Sequence, residues 1–175
     1  MTEQRRRTLV ERIARLRVPA GFLVGIAALA LASPTRTSLL WGGAIACVGE
    51  GLRIWAAGHL EKSREVTTSG PYRYMRHPLY VGSAIMAAGF IVAANSLVVA
   101  IVGVVYFVVA YGSAIRREEA FLTAEFGAAY PDYKAGRLGS VARTFSLERA
   151  LRNREYRAAA GLLAALGILA CRLLL

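Results

Sequence analysis

Two stretches of this chain collect the residue types that do chemistry. The first runs from Gly58 to Tyr80 and holds both histidines, His59 and His77, together with Arg64-Glu65-Val66-Thr67, Tyr72 and a His77-Pro78 step. Proline suits the first position of a helix, where its missing N–H costs nothing, and it forces the residue before it into an extended conformation. His77 is therefore expected at a loop-to-helix junction, where backbone N–H groups and the positive end of the helix can receive an anion.

The second stretch is Arg116-Arg117-Glu118-Glu119, followed by Phe126-Gly127 and Tyr130. At helical spacing Phe107, Tyr111, Ala114 and Glu118 share one face. That face would form an apolar strip ending in a carboxylate, with Arg117 beside it. The plainer alternative is a solvated Arg-Arg-Glu-Glu cap on a helix that stops at Gly127. A third pair, Glu50 and Arg53, lies three residues apart inside an apolar run and so on one helical face. Ionisable groups at membrane depth are expensive and point to function, although an intrahelical ion pair would account for these two equally well.

Certain chemistries are missing. No glycine-rich dinucleotide fingerprint follows a strand, and there is no P-loop, H-E-x-x-H or C-x-x-C. Cys47 and Cys171 stand alone in apolar runs and are expected to be small packing residues. No metal site is expected. A nucleotide-like cofactor would have to be held by loops and helix ends.

The elements that must position these groups are membrane spans. Apolar residues make up 56% of the chain and charged residues 19%, yet 22 Lys and Arg face only 11 Asp and Glu. A soluble nucleic-acid binder spreads such charge and keeps its apolar runs short; here charge blocks alternate with nearly uncharged runs, which excludes nucleic acid as the partner. Five runs approach the length of a bilayer-crossing helix: Val18–Ser33, Leu39–Ala57, Leu79–Ala94, Leu97–Ile115 and Ala158–Leu175. The linkers Pro34–Ser38 and Asn95-Ser96 imply two tight hairpins. Gly42 and Gly49, like Gly82 and Gly89, are spaced to let two spans approach closely.

Sorting basic residues by side gives 19 in the N-terminal, 58–78 and 116–157 segments against Arg36 alone on the opposite side. The positive-inside rule then puts the N-terminus in the cytoplasm and the C-terminus outside. Leu9, Val10, Ile13 and Leu16 suggest an interfacial helix leading into a retained first span, despite the signal-like Ala30-Leu31-Ala32. The fold class is all-α: a polytopic membrane protein of five transmembrane helices, one domain over 1–175, with a cytoplasm-facing pocket.

Together the stretches Gly70-Pro71-Tyr72, Arg76-His77-Pro78-Leu79-Tyr80-Val81-Gly82 and Glu118-Glu119-x-x-Leu122-x-x-x-Phe126-Gly127-x-x-Tyr130-x-x-Tyr133 resemble the isoprenylcysteine carboxyl methyltransferase and phospholipid methyltransferase group of integral membrane enzymes. The resemblance covers roughly residues 50–135. It implies S-adenosyl-L-methionine as cofactor, with contacts from Arg64, Glu65, Val66, Thr67, Tyr72, His77, Pro78, Leu79, Tyr80 and Glu118. It also implies membrane lipids and a lipid-like or prenylated methyl acceptor as partners; His77, Glu118 and Glu119 are the catalytic candidates, as bases where the acceptor is an amine. Phe107, Tyr111, Ala114, Arg117, Glu50 and Arg53 are the candidate acceptor contacts. Relatives acting on prenylated cysteine carry arginine where this chain has Ala114.

The expected activity is S-adenosylmethionine-dependent methylation of an amphiphilic acceptor, most like carboxyl O-methylation of an isoprenylcysteine-type substrate. A carboxylate is already ionised and needs no general base, whereas an amine must lose a proton. The alternatives are phospholipid amine N-methylation, NADPH-dependent reduction of a sterol-like lipid, and a non-enzymatic lipid-binding protein.

Overall fold

The computed structural model describes residues 19–174, and every regular element in that range is helical. The expected interfacial helix over Leu9–Leu16, and the terminal residues Val18 and Leu175 of the outer spans, lie outside the described residues. The elements are α1 (Pro19–Leu31), α2 (Arg36–Ala57), a short 3-10 turn (Gly70–Arg73), α3 (Pro78–Ala94), α4 (Leu97–Phe126), α5 (Ala129–Lys134), α6 (Leu147–Arg152) and α7 (Tyr156–Leu174).

Helix ends follow their capping chemistry. Thr35 caps α2 through a reciprocal box, accepting from the Ser38 N–H at 3.0 Å while its own N–H donates to Ser38 Oγ at 2.9 Å. This cap moves the start of α2 back to Arg36, ahead of the expected Leu39. Ser33, expected at the end of the first span, is in the linker and donates its N–H to the Ala94 carbonyl at 2.8 Å. Asn95 closes α3 in the left-handed conformation, φ 48°, and donates to the Ser33 carbonyl at 3.1 Å. The two tight hairpins are therefore welded to each other at one end of the bundle. α4 runs without a break through the expected water boundary at Ile115 and stops at Gly127, whose φ of 53° suits a residue without a Cβ. The last helix begins at Tyr156, two residues before the expected Ala158.

The dominant packing is α2 against α3, and glycine makes it possible. A Cβ on Gly42 would run into the Ala93 amide and the Gly89 carbonyl, and one on Gly49 would come within 2.6 Å of the Gly82 carbonyl. Gly42, Gly49, Gly82 and Gly89 thus bring backbone onto backbone, as the spacing implied. Ala28, Ala32, Ala93, Ala94, Val99 and Leu169 form a buried cluster of mostly small side chains. Without a hydrophobic force between helices in lipid, close contact of small residues is what holds such elements together.

α4 and α7 are long and apolar enough to cross a membrane, and α1 and α3 are shorter apolar helices. Only 17% of the most apolar stretch of α4 is buried, with Val98, Ile101, Val105 and Val108 all facing outward. A core helix of a soluble protein would bury that stretch. Cys47 and Cys171 depart from expectation: both are exposed, because the inward faces of their helices are taken by Ala46 and Gly49 and by Leu162 and Leu169.

Candidate functional site

At the end of the bundle away from the hairpin turns, the 58–69 loop, the 3-10 turn and the ends of α2, α3 and α4 enclose a cavity of about 650 Å³. Pro78 opens α3 at its first position, with His77 as the preceding cap residue at φ −130°. Pro78, Leu79 and Tyr80 line the cavity, so the positive end of the α3 dipole borders it. Opposite them α4 supplies Ala110, Tyr111, Ala114, Glu118, Phe121 and Leu122. The two stretches singled out by residue type thus form facing walls of one space.

The 3-10 turn buries Tyr72 in that space, and burial, then the nearby Glu118 carboxylate, pushes its phenol well above the ordinary range. Burial likewise raises Tyr133 to about 12. Both remain protonated at neutral pH and act as hydrogen-bonding groups, not bases. The Tyr133 hydroxyl donates to the Tyr72 carbonyl at 2.7 Å, tying α5 to the 3-10 turn.

His77 does not stand alone. Its Nε2 is 3.1 Å from Glu119 Oε1, and Lys134 donates to Glu119 Oε2 at 2.8 Å. The hydrogen bonds from Lys134 and His77 hold the Glu119 carboxyl down at about 2. Glu119 stands behind His77, outside the cavity lining, and fixes the ring's orientation. In a neutral ring whose Nε2–H points at the carboxylate, Nδ1 is the acceptor. Because the folded-state value lies below the ordinary 4.5, the ionised cluster contributes stability above that pH, and the contribution is lost as the pH falls towards 2. Lys134→Met removes the largest cause and is expected to move the onset of acid unfolding upward by about one pH unit. Circular dichroism against pH checks this, and coincident profiles would refute it.

An aromatic train leads away from His77. Its ring lies 5.8 Å from Tyr80, Tyr80 is edge-on to Tyr111 at 5.4 Å, and Phe107 stacks on Tyr111 at 4.0 Å. Tyr111 faces the cavity and Phe107 supports it from behind. His59 has a different role from His77. It is buried, its Nδ1 lies 3.2 Å from Ser69 Oγ, and it packs between Trp55 and Phe145. Burial, then the charges of Arg149 and Arg143, lower its pKa, which favours a neutral ring in this packed position.

Of the residues singled out in sequence, the cavity gathers Glu65, Val66, Thr67, Tyr72, His77, Pro78, Leu79, Tyr80, Tyr111, Ala114, Glu118 and Arg53. Arg64 is not in the lining; it points outward, its side chain 72% exposed, because Ser63 turns the chain at φ 57°. Arg117 is also outside, on an exposed face of α4, donating back to the Ser113 carbonyl. Glu50 is buried beneath the cavity, 3.7 Å from Arg53.

Sequence patterns missed a strap that folds over the 58–69 loop. Arg143 pairs with Glu65 at 2.7 Å, and Arg149 reaches Glu61 at 2.8 Å and the Gly58 carbonyl at 2.5 Å. Burial alone would raise the Glu61 carboxyl, but the hydrogen bond and charge of Arg149 outweigh it and hold it below the ordinary range. Asn153 donates to the carbonyls of Ala57 and Leu60, each at 2.9 Å. Beyond the strap, Glu155 enters the cavity and meets Arg53 at 2.6 Å. Among the described residues no group of three or more His, Cys, Asp or Glu side chains is placed to hold a metal ion.

The chain is 37% identical over 87 residues to the Cobalt-zinc-cadmium resistance protein CzcN of Cupriavidus metallidurans, covering 49% of this chain and 39% of that protein. It is 34% identical over 76 residues to the Nickel-cobalt-cadmium resistance protein NccN of Alcaligenes xylosoxydans xylosoxydans, covering 42% and 36% respectively. Each match spans less than two-fifths of the relative's length. No solved structure matches the chain. The phospholipid methyltransferase family matches residues 22–129, a stretch that takes in nearly all of α1, all of α2 to α4 and both facing walls of the cavity. On that match, the chain belongs to the phospholipid methyltransferase family and is membrane-associated.

Proposed function

We propose that the protein is an integral membrane methyltransferase that uses S-adenosylmethionine to methylate an amphiphilic acceptor. The observation that carries this reading is the cavity itself, in which His77 to Tyr80 face Glu118 across a space of about 650 Å³, within the roughly 300–1,000 Å³ range of small-molecule sites. Its donor set suits the cofactor. The N-terminus of α3 offers backbone N–H groups and a positive dipole end to the cofactor's carboxylate. Glu118 is an acceptor for its hydroxyl or amino groups, and the aromatic faces of Tyr72 and Tyr80 suit a sulfonium cation. Glu65, Val66 and Thr67 complete the wall on the loop side.

When bound, S-adenosylmethionine supplies an electrophilic methyl group on a cationic sulfur. The protein's part is to align donor and acceptor and to exclude water. His77, oriented by Glu119, and Glu118 are the groups able to take a proton from an amine; a carboxylate needs neither. Carboxyl O-methylation of an isoprenylcysteine-type acceptor is the form nearest the motif resemblance. A second reading, N-methylation of a phospholipid amine, is favoured by Ala114: α4 puts no cation into the cavity lining to receive a carboxylate, since Arg116 and Arg117 lie outside it.

We further propose that α1, α2, α3, α4 and α7 cross the bilayer as one membrane domain, with the N-terminus and cavity on the cytoplasmic side. The distribution of basic residues supports this orientation.

The test is calorimetric titration of the purified protein, in lipid nanodiscs, with S-adenosylhomocysteine and with NADPH. Binding of the first alone is expected. Binding of NADPH alone would transfer the chain to the reductase reading, and binding of neither to the non-enzymatic one.

A further inference from the structure

The inner wall of the cavity carries a charge arrangement that the methyl-transfer reading leaves unused. Arg53 is the cation there, and its Nε donates to Glu155 Oε1 at 2.6 Å. One of its terminal nitrogens is also committed, to Ser83 Oγ and, at 3.5 Å, to the Leu79 carbonyl. Glu50 adds a second carboxylate 3.7 Å away. Two acids therefore flank one guanidinium, and both are buried. Left unpaired in such surroundings, an arginine would be the natural receiver of a carboxylate or phosphate. Paired in this way, its charge is balanced and only Nη2 stays uncommitted, which makes it a weak receiver for one.

The residue that makes the difference lies outside the family-matched segment, which ends at 129. Glu155 sits at the turn between α6 and α7, directly after Arg154, a non-glycine residue at φ 61°. That left-handed conformation is sterically unfavourable for an ordinary side chain and survives only where surrounding structure enforces it. Here Asn153, bonded to the Ala57 and Leu60 carbonyls, and the Glu155–Arg53 pair hold the turn from both sides.

We propose that Glu155 is a specificity-determining residue: by occupying Arg53 it denies the inner end of the cavity to anionic acceptor groups and leaves it to neutral or cationic ones. This rests on the cavity being the acceptor site of a methyltransferase. The test reads binding without turnover, so it stands apart from the question of which cofactor is used.

Decanoate and decylamine are titrated into wild-type protein and the Glu155→Gln and Arg53→Gln/Glu155→Gln variants in zwitterionic nanodiscs, with empty nanodiscs subtracted. Wild type is expected to bind decylamine at least tenfold more tightly than decanoate. Glu155→Gln should bind decanoate at least tenfold more tightly than wild type does, and the added Arg53→Gln change should remove that gain. Thermal unfolding reports whether each variant folds. If Glu155→Gln does not fold, the wild-type ratio decides alone. Equal affinity or a preference for decanoate in wild type overturns the proposal, as does a folded Glu155→Gln variant with an unchanged ratio. Failure to bind S-adenosylhomocysteine, by contrast, would overturn the methyltransferase reading and leave the charge selectivity standing.

Discussion

Gly89→Ala is expected to destabilise the protein by about 1–3 kcal/mol, the usual cost of forcing a methyl group into a tightly packed contact. A Cβ at Gly89 would lie 2.6 Å from the Gly42 carbonyl and 2.8 Å from the Ala46 Cα, both backbone atoms of α2 that cannot turn aside. The helices would have to separate, and the cavity wall that starts at Pro78 moves with α3. Gly112→Ala is the matched control, since a Cβ there meets nothing within 4 Å. It should be neutral or stabilising by up to about 1 kcal/mol through helix propensity. Thermal unfolding in detergent compares the two; equal midpoints would show that glycine is not what brings α2 and α3 together.

Glu118→Ala should weaken S-adenosylhomocysteine binding roughly thirtyfold, equivalent to about 2 kcal/mol for a hydrogen bond to a charged group. Glu118 lines the cavity beside Tyr72, whose phenol is pushed up by burial first and by that carboxylate second. Glu125→Ala, an exposed acid further along the same helix, should change affinity less than twofold. Calorimetry with both variants separates a specific contact from a general loss of negative charge. Equal affinities in the two would remove Glu118 from the site.

How far the chain could be read from sequence depends on which physical rule each element obeys. Pro78 and Gly127 announced the start of α3 and the end of α4 because proline and glycine have local conformational preferences that tertiary contacts rarely override. The glycine pairs on α2 and α3 were legible for the same reason: few residues permit such close approach. The face holding Tyr111, Ala114 and Glu118 followed from helical period, whereas Phe107, one turn further from the cavity, stacks behind Tyr111 instead of entering it.

The strap was not legible. Residues 139–146 are irregular, α6 is a short helix of six residues, and the partners of the strap, Glu65 for Arg143 and Glu61 for Arg149, lie 78 and 88 residues away in the chain. Glu155 gave only the signal of an acid ahead of a helix, which the helix dipole alone explains. Arg64 faces away from the cavity after Ser63, and no residue-type rule foresees a positive φ at a serine. Counting basic residues by side assigned charge to segments but did not reveal that Arg143 and Arg149 are used to clamp the cavity wall.

The most direct test is transfer of label. The protein in nanodiscs is incubated with native lipid extract and methyl-labelled S-adenosylmethionine, and the organic phase is then treated with alkali. Label should pass into an organic-soluble product in proportion to enzyme. Release by alkali would identify a methyl ester, and retention an N-methyl amine, the outcome that the pairing of Arg53 with Glu155 favours. No transfer above empty nanodiscs, with folded protein and a cofactor-saturated site, would contradict methyl transfer to a membrane acceptor.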